Sequence, residues 1–212
     1  METKAVALIS GSVVLCLVAI ELIILGPPVG DLIYLILRFC AIVGIICLFM
    51  ASLMTPFQRE LRKIFGRSFI QIHHAYTITG LILVTLHPLL FALDLSLINQ
   101  RLEFLVFFPD FGVRFWELAG RPALILFYIT FFTALYRNVS ILPKYWKYIH
   151  YINYLGLTFG VIHANLIGTN VKASLPLFLL INGLLIISYG VLIYKRYQNY
   201  QRKKRIQARG MK

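Results

Sequence analysis

The residues best able to do chemistry are the five histidines, and all of them stand at the ends of two stretches of similar length. Residues 72–87 read IHHAYTITGLILVTLH, with His73 and His74 near the start and His87 at the close. Residues 150–163 read HYINYLGLTFGVIH, with His150 and His163 at the two ends. Imidazole binds transition metals through a neutral ring nitrogen and carries protons near neutral pH, so either chemistry is open to such a set. Between the histidines the chain is apolar, with Gly80 in the first stretch and Gly156 and Gly160 in the second.

The elements that position them are membrane helices. The chain has 212 residues, 59% of them hydrophobic, and a mean hydropathy of +0.80. A water-soluble domain of this size cannot bury that much apolar side chain. Apolar runs of about 20 residues match the hydrocarbon core of a bilayer, where the backbone must satisfy its own hydrogen bonds and so becomes helical. The pattern predicts an all-α protein, a six-helix transmembrane bundle with spans near 5–25, 32–54, 69–93, 122–136, 146–167 and 175–194. It is read as one domain over 1–194 followed by a basic cytoplasmic tail over 195–212. The first run resembles a signal peptide but is too long for one and lacks a cleavage site of small residues. Gly26, Pro27, Pro28 and Gly30 make the first turn. Residues 94–120, rich in phenylalanine, are expected to lie at the interface.

The net charge of +13 does not indicate nucleic acid, because the basic residues sit between the apolar runs rather than on one face. Six spans put both termini on one side. That side collects 16 of the 21 Lys and Arg residues, in the loop with Arg59, Arg62, Lys63 and Arg67, the loop with Arg137, Lys144 and Lys147, the N-terminus and the tail. The other side has four, Arg101, Arg114, Arg121 and Lys172, and Arg38 falls inside the second span. The positive-inside rule then makes both termini cytoplasmic, in an inner or plasma membrane. Cys16, Cys40 and Cys47 all lie in apolar runs and read as small buried hydrophobes.

The third and fifth spans run in the same direction, so their histidines fall at two matched depths. His73 or His74 faces His150 toward the cytoplasm, and His87 faces His163 toward the outside. The separation along each helix is roughly 20 Å at 1.5 Å per residue. Two stacked haems, each held by one histidine from each helix, suit that spacing. At about 100° per residue, 14 residues return to within roughly 40° of the start, whereas 13 miss by roughly 140°. Phase therefore favours His73 over His74 as the partner of His87 on that face. The spacing of 13 between His150 and His163 calls for a bulge or unwinding near Gly156 or Gly160. The glycines are expected to open a slot for a flat macrocycle. A single intramembrane histidine is often a packing residue or a proton relay, but four at two matched depths argue for paired ligation. A tetrahedral metal site on His73, His74 and His150 lacks an acid or thiol at the same depth.

The pattern resembles the ferric reductase-like transmembrane domain. That domain is shared by ferric reductases, NADPH oxidases and the haem-binding membrane subunit of bacterial methionine sulfoxide reductase systems. The resemblance covers essentially the whole chain, in its six helices, basic cytoplasmic loops and histidines on helices three and five. The spacings of 14 in His73–His87 and 13 in His150–His163 meet the family pattern. The size is most similar to the methionine sulfoxide reductase subunit, yet that group lacks the inner histidine of helix three, which moves the reading toward the two-haem type. The resemblance implies haem b on His73, His87, His150 and His163 as axial ligands of the haem iron, in an oxidoreductase component. Electrons are expected from a cytoplasmic flavoprotein or reduced flavin, with flavin present only through a partner, because the chain has no glycine-rich dinucleotide fingerprint. The acceptor is extracytoplasmic, and membrane lipid is the remaining partner. Arg38 is expected to pair with a propionate of the outer haem, with Glu21, or with both. Pro88 is expected to kink the third helix. The rival reading is a histidine-dependent proton or metal transporter.

Overall fold

A chain this apolar closes its backbone hydrogen bonds within each segment, and every long element is helical. The structure, a computed structural model, describes residues 3–27, 31–65, 68–109, 111–112, 114–136 and 142–210. Among these there is no strand. The helices are α1 (Thr3–Ile24), α2 (Leu32–Met54), α3 (Gln58–Phe65), α4 (Ser68–Asn99), α5 (Gly120–Leu135), α6 (Leu142–His150), α7 (Ile152–Ile167), α8 (Thr169–Ala173) and α9 (Leu175–Gly210). The stretches Leu32–Phe65, Phe69–Asn99 and Leu175–Ala208 are long and apolar enough to cross a membrane, and Ile9–Ile24 and Gly120–Leu135 are apolar but shorter. The chain is therefore all-α and has the helices of a membrane protein.

The central helix is α2. Asp31 caps its start in extended backbone, its carboxylate accepting from the Ile33 N–H at 3.0 Å. Pro56 then turns its end through a single tight turn, Thr55–Phe57, into α3. From Leu37 to Met54 almost every residue of α2 is buried, because α4, α1, α9 and α7 surround it. The outer helices present the opposite picture. Leu17, Ile82, Leu179 and Ile186 are all more than half exposed, an apolar exterior that water would not tolerate and lipid does.

Gly44 on α2 and Gly80 on α4 set the closest approach of these two helices. A Cβ on Gly80 would stand 2.9 Å from Leu48 Cγ and 3.0 Å from the Gly44 carbonyl oxygen, and one on Gly44 would stand 2.9 Å from Leu83 and Val84. Small residues at such crossings are what lets helices associate where no water drives them together. Polar links complete the packing. Asn153 of α7 donates to Ser52 of α2 at 2.5 Å, Asn165 and Asn182 exchange bonds of 2.9 and 3.1 Å between α7 and α9, and Ser12 meets the Tyr76 hydroxyl between α1 and α4.

Several expectations are corrected. The basic loop after the second span is the helix α3 over the residues described, because Glu60, Arg62 and Lys63 alternate with Leu61, Ile64 and Phe65 at helical spacing. The basic tail, to which the sequence analysis assigned no secondary structure, is helical and continues α9 without a break to Gly210. The helix α4 runs on through Pro88 to Asn99, six residues beyond its predicted end. Pro28, Gly30, Arg67 and Arg137 lie outside the described residues.

A branched side chain at position 80 tests the α2–α4 crossing. Gly80→Val should lower the melting temperature in detergent by roughly 5 °C, an overpacking cost of about 2 kcal/mol. Gly183→Ala on α9, where nothing lies within 4 Å of the added Cβ, should raise it by about 2 °C through helix propensity.

Candidate functional site

The two histidine stretches come together as two pairs. The ring centroids of His73 and His150 are 6.4 Å apart with 57° between planes, and those of His87 and His163 are 6.4 Å apart with 70° between planes. His74 lies 6.0 Å from His73 but is exposed, and its ring makes no pair with His150 among the described contacts. The choice left to helical phase thus falls on His73. The helices α4 and α7 scarcely touch along their backbones, so it is the rings that reach across between them.

The His87 and His163 rings are each aimed by a backbone carbonyl on the antiparallel neighbour of their helix. His87 Nδ1 lies 3.2 Å from the Leu37 carbonyl of α2, and His163 Nδ1 lies 2.6 Å from the Glu117 carbonyl just before α5. A carbonyl can only accept, so Nδ1 carries the proton in both rings and donates it. The lone pair is left on Nε2, the tautomer a ligating histidine needs. At the other end the carbonyls of Ala51 and Thr130 act on His73 and His150, although both Nδ1 atoms are buried without a hydrogen bond.

The register explains the arrangement. Seven residues down α2 correspond to seven up α4, through the contacts Leu37 to His87, Gly44 to Gly80 and Ala51 to His73. The spacing of 14 on α4 is thereby matched by a spacing of 14 between the carbonyls of α2. On the other side Glu117 and Thr130 are 13 apart, as are His163 and His150.

That spacing of 13 is accommodated at Tyr151, the break between α6 and α7, rather than at Gly156 or Gly160. The bonds Tyr151 N–H to Tyr148 O and Tyr154 N–H to Tyr151 O, both 3.1 Å, span three residues instead of four and overwind the chain just after His150. The glycines do not open the space between α4 and α7. Gly80 faces α2, a Cβ on Gly156 would meet the Phe127 ring at 2.8 Å, and one on Gly160 would meet Ile45 at 3.0 Å.

Gly120, which sequence reasoning passed over, has the direct role. A Cβ there would stand 2.9 Å from His163 Cδ2 and 3.0 Å from its Cγ. The ring lies where only a glycine leaves room. Its one sequence signal is its place before Pro122, at the start of a helix. The aiming carbonyls had no signal at all, since every residue has one.

Arg38 is 7% exposed and meets no acid. It donates from Nη1 to the Pro27 carbonyl at 2.9 Å, and its guanidinium lies 4.7 Å from the Tyr34 ring centre. Glu21 is exposed and forms no ion pair with it. Arg38 Nε is buried without a partner, one residue along α2 from the carbonyl that aims His87. Aromatic rings border both pairs. Phe69 stacks 6.3 Å from His73, Trp146 lies 6.1 Å from His150, and Phe115 and Trp116, beside Glu117, pack on Phe159 at 6.1 and 6.2 Å.

The geometry is that of two two-ligand sites. A metal about 2 Å from a nitrogen of each facing imidazole puts the ring centres roughly 6 Å apart, which is the separation found at both ends. Among the described residues no group of three or more His, Cys, Asp or Glu converges, so a metal held by protein alone would want for ligands. An iron whose four equatorial positions are already filled by a macrocycle needs two axial imidazoles, and the residues fit such a group. The chain matches no family model, no curated protein and no solved structure.

The difference among the histidines can be read by chemical modification. With diethylpyrocarbonate, His74 should react first and be the main site at one modification per chain, mapped by mass spectrometry. Equal early modification at His87 or His163 would contradict the committed Nδ1 protons and partial burial of those rings.

Proposed function

We propose that this chain is a haem b membrane protein of the ferric reductase-like kind. It passes electrons from a cytoplasmic donor, a flavoprotein or reduced flavin, to an extracytoplasmic acceptor. The observation that carries the reading is the equal 6.4 Å separation of two imidazole pairs, His73 with His150 and His87 with His163. Those four residues would be the axial ligands of an inner and an outer haem. Bound haem supplies a one-electron iron couple, and the protein sets its potential and surroundings.

The chain's own residues have defined tasks in this reading. The Leu37 and Glu117 carbonyls hold the outer rings in the ligating tautomer. Gly120 leaves space for His163. Arg38, with Nε unpartnered at the depth of the outer pair, offers a buried cation to a carboxylate such as a haem propionate. The buried helix α2 backs α4 along its length and keeps water out. The six spans have both termini on the cytoplasmic side of a plasma or inner membrane, since Lys and Arg gather there. The inner pair then lies nearest the donor and the outer pair nearest the acceptor.

The reduced-minus-oxidised absorption spectrum of the purified protein tests this first. Low-spin b-type bands at two haems per chain are expected. His87→Ala and His163→Ala should each leave one haem, His73→Ala and His150→Ala the other, and His74→Ala should keep both. A colourless protein from cells supplied with haem would overturn the reading and turn attention to a proton or metal transporter.

Gly120→Val should crowd His163 and remove the outer haem from most chains while leaving the inner. Full occupancy of both haems in that variant would refute the role given to Gly120.

A further inference from the structure

A groove of about 790 Å³ opens at the basic end of the molecule, between the extension of α9 and the Thr55–Phe57 turn with the start of α3. Its walls include Arg59, Lys195, Arg196, Arg202 and Arg205, and a single carboxylate, Glu60. That carboxylate is taken. Lys195 Nζ lies 2.5 Å from Glu60 Oε1. Arg196 is laid over the Tyr151 ring at 4.4 Å. Arg59, Arg202 and Arg205 are exposed and meet no carboxylate among the described ion pairs. Three exposed guanidiniums thus line one concavity whose single carboxylate, Glu60, is already bonded to Lys195.

Depth decides what anion belongs there. The groove begins at Leu192, Tyr194 and Lys195, where the apolar run of α9 gives way to charge, and beside Thr55, where α2 ends. Tyr151, Tyr194 and Tyr197 ring this level, and tyrosine at the end of an apolar helix marks the headgroup region of a bilayer. The continuation of α9 to Gly210 carries Arg202 and Arg205 beyond the hydrocarbon and over the same space. Basic pockets between helices at this depth suit lipid phosphates, and guanidinium pairs bind phosphate through two parallel hydrogen bonds.

We propose that this groove is a specific site for an anionic lipid headgroup with more than one negative charge, a phosphate monoester or a pair of phosphodiesters. The lipid bridges α9 to the α2–α3 turn and fixes the helical extension over the basic face. The proposal rests on the membrane placement of the chain and not on the haem reading.

The test uses the full chain in nanodiscs of phosphatidylcholine doped with phosphatidic acid or cardiolipin, with binding followed by native mass spectrometry after partial delipidation. Wild type should retain an acidic lipid over phosphatidylcholine. A variant combining Arg59→Gln, Arg202→Gln and Arg205→Gln should weaken that retention by about a hundredfold, at roughly fivefold per charge near the surface. The pair Arg101→Gln with Arg114→Gln, outside the groove, should change it less than threefold. Melting temperature in phosphatidylcholine alone checks that each variant is folded. Undiminished retention in the folded triple variant would overturn the site. So would displacement of the lipid by equimolar inorganic pyrophosphate, since the groove would then take soluble phosphate rather than a headgroup. Should the triple variant fail to fold, wild type decides alone, and equal retention of phosphatidylcholine and phosphatidic acid would reject the proposal.

Discussion

The crossing of Gly44 and Gly80 brings α2 and α4 to within backbone contact, and the positions of the other groups follow from it. With no side chain on either residue the two helices lock into one antiparallel register. A register fixed at the middle is fixed at both ends. Leu37 then meets His87 and Ala51 meets His73, each seven residues from the crossing. A slide by a single residue would turn the Leu37 carbonyl from the His87 ring and leave that buried imidazole N–H without its acceptor.

The same economy of polar groups runs through the apolar interior. Thr77, Thr85, Ser96, Thr158 and Ser188 return their hydroxyls to carbonyls four residues back, and Thr85 and Thr158 also meet the Tyr128 and Tyr189 hydroxyls of other helices. Asn165 and Asn182 satisfy each other. Against this background the unpartnered buried atoms are conspicuous: Arg38 Nε and the Nδ1 atoms of His73 and His150 lie at or near the two ring pairs, and Asn170 Oδ1 completes the set among described residues. Two of the four belong to the His73–His150 pair, and Arg38 Nε lies one residue along α2 from the carbonyl that aims His87.

Much of the architecture was legible in the chain. The second helix runs over 32–54 as its hydropathy predicted, and the structure adds the Asp31 cap and the turn at Pro56 that bound it. That His73 or His74 would face His150, and His87 would face His163, followed from spacing along parallel helices. Other features were not legible. The break at Tyr151 depends on where α6 and α7 are pulled by their neighbours, and local sequence pointed to Gly156 and Gly160, which instead admit Phe127 and Ile45. Glu21 looked like the natural partner of Arg38 by charge, but Arg38 turns to the Pro27 carbonyl and the Tyr34 ring.

By itself the sequence determined that the chain is helical and membrane-like, which residues are ionisable within its apolar runs, and how far apart they stand along each helix, because hydropathy and the helical rise are local properties. Only the tertiary structure decided which face each side chain presents and what meets it there. It chose His73 over His74, set Gly120 under the His163 ring and gave the histidines the carbonyls of Leu37 and Glu117. Those are contacts between residues 46 and 50 positions apart. The acceptors are backbone atoms that every residue possesses, so only the packing of one helix on another could single them out.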